Sequence, residues 1–323
     1  MTTSIGRTVG LLDGKAVREP ELWRLVGNTP LLAVRLSDRQ TVRLKCEWLN
    51  PGGSVKDRAA LFILRDGLAR GALPEKRLLD ASSGNTAIAY AMLGAAAGIG
   101  VTVCVPANAT PERRALLEAY GAEVVLTDPL EGSDGAIRKA GELAAARPDR
   151  YWYADQYNHP ANPRAHYATT AEEIWRQTDG GITHLVAGLG TTGTLMGAGR
   201  RLKERNPAVQ LVGVQPDGPF HGLEGLKHLG TAIVPGIYDP ALPDRTEFVS
   251  TEEAEAVVRR LAREAGLFVG WSTGAAVVGA QRVLTARPPA ASFRDRPTVC
   301  VVIAPDAGTR YLSEPHRLAG ASL

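Results

Sequence analysis

A chain of 323 residues, 44% hydrophobic and 22% charged, is long enough for two domains at roughly 100–200 residues each. Its formal net charge of +3 is spread along the chain without a basic block, which speaks against a nucleic-acid groove. No run approaches the ~20 apolar residues that cross a membrane, and the first twenty residues lack the apolar stretch of a signal peptide. A cytoplasmic protein is expected. Its three cysteines, Cys46, Cys104 and Cys300, lie far apart in apolar runs. That spacing fits core thiols in a reducing compartment, with no disulfide framework and no metal site.

In chain order, Val42, Leu44, Cys46 and Trp48 alternate with Arg43, Lys45 and Glu47, the period of a strand. A helix is expected over 57–70, closed by Gly71. Strand-like 78–81 precedes a helix near 86–97, and strand-like 101–105 precedes one capped by Thr110 with Pro111 in its first turn. Residues 123–127 precede a helix near 134–146. The alternation resumes with a strand at 184–189, a helix at 193–205 and a strand at 209–215. Ser250 and Glu253 form a capping-box pattern that opens a helix to Ala265. The β-branched run 298–303 reads as a buried strand. Repeated strand–helix units in two groups, divided near residues 150–165, define an α/β protein. Two domains are expected, each with a mostly parallel sheet flanked by helices.

In such sheets ligands bind beyond the carboxyl ends of the strands, so the strand-to-helix loops carry the chemistry. Asn50-Pro51-Gly52-Gly53-Ser54-Val55-Lys56-Asp57-Arg58 places an amine near a helix start, where it can condense with an aldehyde. The plain alternative is a glycine-rich turn with Ser54 as N-cap, Asp57 as its acid and Lys56 solvated. Ser82-Ser83-Gly84-Asn85-Thr86 precedes an alanine-rich helix whose first N–H groups can take a carboxylate; a capped polar turn is the alternative. Gly188-Leu189-Gly190-Thr191-Thr192-Gly193-Thr194 can surround a phosphate. It also satisfies G-x-G-x-x-G, with Asp217 about 24 residues after Gly193, the pattern of a nicotinamide dinucleotide site. Alone, that loop fits either cofactor.

Together, in this order, the three loops resemble the cysteine synthase and cystathionine β-synthase family. These are fold-type II, tryptophan synthase β-like enzymes that use pyridoxal 5′-phosphate. Further matching stretches are Gly27–Leu32 (GNTPLL), Pro111–Val124, His159–Pro163 (HPANP) and Gly270–Ala276 (GWSTGAA), and the resemblance spans roughly residues 22–315. It favours pyridoxal phosphate, in a cleft between the domains, over a nicotinamide. It implies a smaller, movable carboxylate-binding domain over 50–159 and a larger phosphate-binding domain over 1–49 and 160–323.

By the same resemblance, Lys56 is the Schiff-base lysine and general base. Asn85 faces the cofactor's phenolic oxygen, and Ser272 its pyridine nitrogen. Gly190, Thr191, Thr192, Gly193 and Thr194 hold its phosphate. Ser82, Ser83, Gly84 and Thr86 take the substrate carboxylate, with Gln156 nearby. The implied reaction is β-replacement of O-acetylserine or O-phosphoserine by sulfide, through an α-aminoacrylate, to give L-cysteine in a homodimer. Cystathionine β-synthase-type condensation with homocysteine is the first alternative, and a NAD-dependent oxidoreductase the more distant one. A silent binding protein of the same fold is disfavoured by the full set of cofactor residues. Many relatives have Thr-Ser where this chain has Ser82-Ser83. No arginine lies near Asp217, so His221, Lys227 and His228 are the cations available to a phosphorylated donor. Neither a haem-binding N-terminal extension nor a C-terminal regulatory domain is expected.

Overall fold

The computed structural model describes residues 8–12, 15–82, 84–286 and 297–313. In chain order its elements begin with β1 (Thr8–Leu12), β2 (Lys15–Arg18), β3 (Leu31–Ser37), β4 (Gln40–Cys46), α1 (Lys56–Ala69) and β5 (Arg77–Ala81). Then come α2 (Asn85–Ala97), β6 (Val101–Pro106), α3 (Pro111–Ala119), β7 (Glu123–Thr127), α4 (Gly132–Ala146) and β8 (Tyr151–Tyr153). Helices α5 (Ala161–Ala165) and α6 (Ala171–Gln177) are joined by a π-helical turn, His166–Thr170. The chain continues with β9 (His184–Gly188), α7 (Gly193–Arg205), β10 (Gln210–Pro216), β11 (Arg245–Val249), α8 (Thr251–Ala265), α9 (Trp271–Thr285) and β12 (Cys300–Ala304).

The chain divides into two compact units. One takes the residues up to Gly27, Asn50–Gly52 and Lys56–Asn162; the other takes Asn28–Leu49, Gly53–Val55 and the chain from Pro163 onward. The first holds the parallel sheet β7-β6-β5-β8. Its strand residues part by face: Val101, Val103 and Val105 join α1 and α2 residues in one core, whereas Cys104 joins Ala136 and Ala140 of α4. The second unit holds the sheet β11-β10-β9-β12-β4-β3, parallel except for the antiparallel edge strand β3. Leu185 and Ala187 of β9 face the core of α6 and α7, while Val186 faces that of α8 and α9. Burial on both faces is why these strands read as continuous apolar runs.

The predicted elements are present with small shifts of their ends. The Ser250–Glu253 capping box is formed with both of its hydrogen bonds. One expected cap is not. Thr110 precedes α3 but its side chain makes no cap bond; its backbone carbonyl accepts from Arg113 and Arg114 instead. Helix α1 starts at Lys56, and Ser54 just before it pairs through its backbone with Asp306.

The polar side of β4 is not solvated. Lys45 and Glu47 are both fully buried. Lys45 Nζ donates to Glu173 Oε2 (2.7 Å) and Gln177 Oε1 (3.0 Å), and also to the Thr29 carbonyl. Thr29 Oγ1 donates to Glu47 (2.7 Å), and the Asn28 amide donates to Glu173 (2.9 Å). This network holds the Gly27–Leu32 turn against its own sheet. Removing one partner leaves a buried charge unpaired, so Lys45→Met is expected to cost about 3–5 kcal/mol of stability, read as a lowered urea midpoint.

Candidate active site

Each unit carries part of the expected site. In the first, Lys56 is the first residue of α1 and half-buried. Just before it, Val55 N–H donates to the Pro305 carbonyl (2.9 Å) within the second unit. The buried Asp57 carboxylate accepts the Gly52 amide at 2.5 Å. A Cβ on Gly52 would lie 2.6 Å from that carboxylate, so the sequence needs glycine there.

The turn between β5 and α2 follows the same logic. Ser82 N–H donates to the Cys104 carbonyl (3.1 Å), which ties the turn to β6, and Ser82 Oγ accepts the Gly84 amide (3.3 Å). The Ser82 hydroxyl hydrogen therefore remains available to a ligand. Asn85 begins α2. Ser83 lies outside the described residues.

Gln156 is buried, and its amide is oriented by its partners. Nε2 donates to the Ala81 carbonyl (2.8 Å), so Oε1 faces Thr86 and accepts its hydroxyl (2.7 Å). Thr86 Oγ1 thus spends its proton inside the protein. A carboxylate at this turn must draw on the Ser82 hydroxyl and on the backbone amides at the start of α2.

In the second unit, the loop from β9 to α7 passes under a strap formed by residues 225–227. Lys227 N–H donates to the Leu189 carbonyl (2.8 Å), and a Cβ on Gly190 would lie 2.0 Å from the Gly225 carbonyl oxygen. Thr192 adopts φ +68°, and its buried hydroxyl has no hydrogen-bond partner among the described residues. A buried donor without a partner costs roughly 1–3 kcal/mol, and a phosphate oxygen at the head of α7 would satisfy it. The loop thus fits a phosphate. Thr192→Val is expected to leave the cofactor-free protein as stable or slightly more so, while weakening cofactor binding about tenfold, measured by calorimetry.

Sequence reasoning missed His166. It is buried in the π turn, where Nε2 meets Thr194 Oγ1 (3.3 Å) and Nδ1 meets Thr170 Oγ1 (3.0 Å), so it orients Thr194. No sequence signal marks it, since its partner is 28 residues away. Ser272 is the second residue of α9 and buried.

Of the cations considered for a phosphorylated donor, His221 is held below the usual imidazole range, first by burial and then by the nearby His228. It is therefore a poor cation at neutral pH. Lys227 lies buried in the strap. Asp217 is exposed just past β10. Burial pushes the three thiols up, Cys46 to about 11 and Cys104 and Cys300 to about 12, so none is a nucleophile near neutrality.

The arrangement of parallel sheets, a lysine heading one helix and a phosphate-fitting loop heading another is that of a pyridoxal-phosphate enzyme. The family model described as "Pyridoxal-phosphate dependent enzyme" matches residues 22–304. The chain is 50% identical over 297 residues to a cysteine synthase of Aquifex aeolicus, covering 90% of each chain. It resembles the crystal structure of an O-ureido-L-serine synthase with a TM-score of 0.84 and 35% identity, covering 93% of this chain and 95% of that one. It also resembles an O-acetylserine-dependent cystathionine β-synthase from Helicobacter pylori with a TM-score of 0.82 and 34% identity, covering 90% and 96%. The chain belongs to the cysteine synthase branch of the pyridoxal-phosphate-dependent enzymes. Its cofactor is pyridoxal phosphate, which sets the nicotinamide reading of the glycine loop aside. Among the described residues no helix is long and apolar enough to cross a membrane.

Proposed function

We propose that the chain makes L-cysteine by replacing the β-substituent of an activated serine with sulfide. O-acetylserine is the favoured donor and O-phosphoserine the alternative. The observation that carries this reading is the 50% identity to a cysteine synthase across 90% of both chains. His221, held below the usual imidazole range by burial, adds weight to the donor whose β-substituent is an uncharged acetyl ester rather than a phosphate.

When bound, pyridoxal phosphate supplies an electron sink for the carbanion at the donor's Cα. In this reading Lys56 holds the cofactor through Nζ, and the same Nζ, once released, takes the Cα proton. Gly190, Thr191, Thr192, Gly193 and Thr194 bind the phosphate, with His166 orienting Thr194. Asn85 binds the phenolic oxygen. Ser272 offers the ring nitrogen a hydroxyl rather than a carboxylate, which leaves that nitrogen without a full counter-charge. Ser82, Ser83, Gly84 and Thr86 receive the α-carboxylate, and Gln156 braces that turn. The unit with the four-stranded sheet handles the carboxylate and the unit with the six-stranded sheet the phosphate. A cytoplasmic homodimer acting on small molecules completes the proposal.

A second reading, with homocysteine as the acceptor, is favoured by the likeness to the Helicobacter enzyme. The test is an absorption titration of cofactor-loaded protein with O-acetylserine, O-phosphoserine and serine, before any sulfur source is added. A red-shifted band with O-acetylserine alone is the expected result; a response only to O-phosphoserine or serine reassigns the donor. Adding sulfide or homocysteine then identifies the acceptor by which one discharges the band.

A further inference from the structure

Behind the carboxylate turn lies an acid that the mechanism does not use. Asp80, in β5, is fully buried two residues before Ser82. Its Oδ1 accepts the Ala81 amide (2.8 Å) and its Oδ2 the Gln156 amide (3.3 Å). The same Gln156 braces Ala81 and Thr86 through its side chain, and its carbonyl accepts from Asn162 (2.8 Å). Asp80 is therefore built into the frame of the turn.

The groups that bear on it are Tyr90 of α2, Cys104 of β6, Tyr153 of β8, and Asp155 and Tyr157 just beyond. Among the described residues, none of the groups acting on it is a cation. Burial holds the phenols and the thiol protonated, so Asp155 is the other charge. Burial raises the Asp80 carboxyl to about 7. It therefore changes charge near neutrality, behind a turn read as receiving an anion.

We propose that Asp80 is a positioning residue and charge gate for the donor's α-carboxylate: uncharged, it braces a turn that accepts an anion, and charged, it repels that anion from behind. The proposal rests on the assignment of the Ser82–Thr86 turn to the substrate carboxylate. The Cα atoms of Asp80 and Ser82 lie within about 7 Å of each other along the strand. A carboxylate held at the turn would then lie on the order of 10 Å from the Asp80 carboxyl. At an effective dielectric near 20, a like charge at that range changes affinity roughly tenfold. The sign follows from the raised value: binding is strongest while Asp80 is protonated and weakens as pH rises through about 7.

The test is calorimetric binding of propanoate, the donor's carbon skeleton without amine or leaving group, to cofactor-loaded protein from about pH 6 to about pH 8. Propanoate stays ionised throughout. Wild-type affinity is expected to fall roughly fivefold across the range, most of the tenfold difference between the two charge states. Asp80→Asn, neutral at every pH, is expected to keep the low-pH affinity at high pH, a gain that damage to the fold cannot produce. The Tyr90 hydroxyl is buried and makes no hydrogen bond among the described residues, yet its dipole lowers the proton affinity of the Asp80 carboxyl. Tyr90→Phe is therefore expected to move the midpoint upward, which supplies the answer should Asp80→Asn fail to fold. A wild-type curve in Asp80→Asn, or an unmoved midpoint in Tyr90→Phe, overturns the gate. Ser82→Ala separates this from the underlying assignment. If it loses propanoate while Asp80→Asn titrates as wild type, only the gate falls; if it binds unchanged, the assignment of the turn falls and the gate with it.

Discussion

Lys56→Ala is expected to lower kcat by at least about 10³-fold, because one amine serves both as covalent anchor and as base. The fold should survive the change. Lys56 heads α1 with a half-exposed side chain, and alanine is the better helix former. The contacts that define the loop, Asp57 with Gly52 and Val55 with Pro305, do not involve its side chain. Thr192 and the amides at the head of α7 do not depend on Lys56, so the variant should still bind cofactor, though not covalently. Hydride reduction followed by peptide mapping tests this directly. Cofactor should be fixed to the Lys56 peptide in the wild type and to no peptide in the variant. Full turnover in Lys56→Ala would remove the assignment.

Gly190→Ala is expected to raise the cofactor dissociation constant at least about 100-fold, or about 2.7 kcal/mol. The new Cβ would sit 2.0 Å from the Gly225 carbonyl oxygen, a backbone atom that no rotamer change can clear. The strap cannot easily retreat, since Lys227 is hydrogen-bonded to Leu189 and Leu226 packs over Gly188. The loop must deform instead, at about 1–3 kcal/mol of stability, and the Thr191–Thr194 run moves with it. Calorimetric titration with pyridoxal phosphate and a thermal melt read the two effects. Gly141→Ala in α4, where a Cβ meets nothing within 4 Å, is the control and should stabilise by about 0.5–1 kcal/mol. Unchanged cofactor affinity in Gly190→Ala would argue against this loop as the phosphate site.

Much of the molecule is legible in the chain because its signals are local. The apolar runs at Val101, His184 and Cys300 became strands because each buries both faces under helices. The Ser250–Glu253 box formed because its partners are three residues apart. Strands β3, β8 and β11 were not read from the sequence. All three are edge strands, and β8 spans only three residues, too few to show a period.

The order and composition of the three loops, set by residue type at strand-to-helix junctions, were determined by the sequence alone. With them came the family, the cofactor and the lysine that would hold it. What those loops rest on was decided by tertiary structure. Thr86 gives its proton to a glutamine 70 residues away, Thr194 is oriented by His166, and Gly190 is required by a carbonyl at Gly225. Lys45 and Glu47 alternate like a solvated face yet lie buried in a network that reaches Glu173. The charge of Asp80 belongs here too: its ordinary carboxyl is raised to about 7 because the folded chain removes water from it, and among the described residues none of the groups acting on it is a cation. A sequence lists donors and acceptors, but which of them meet, and in how dry a place, depends on long-range packing.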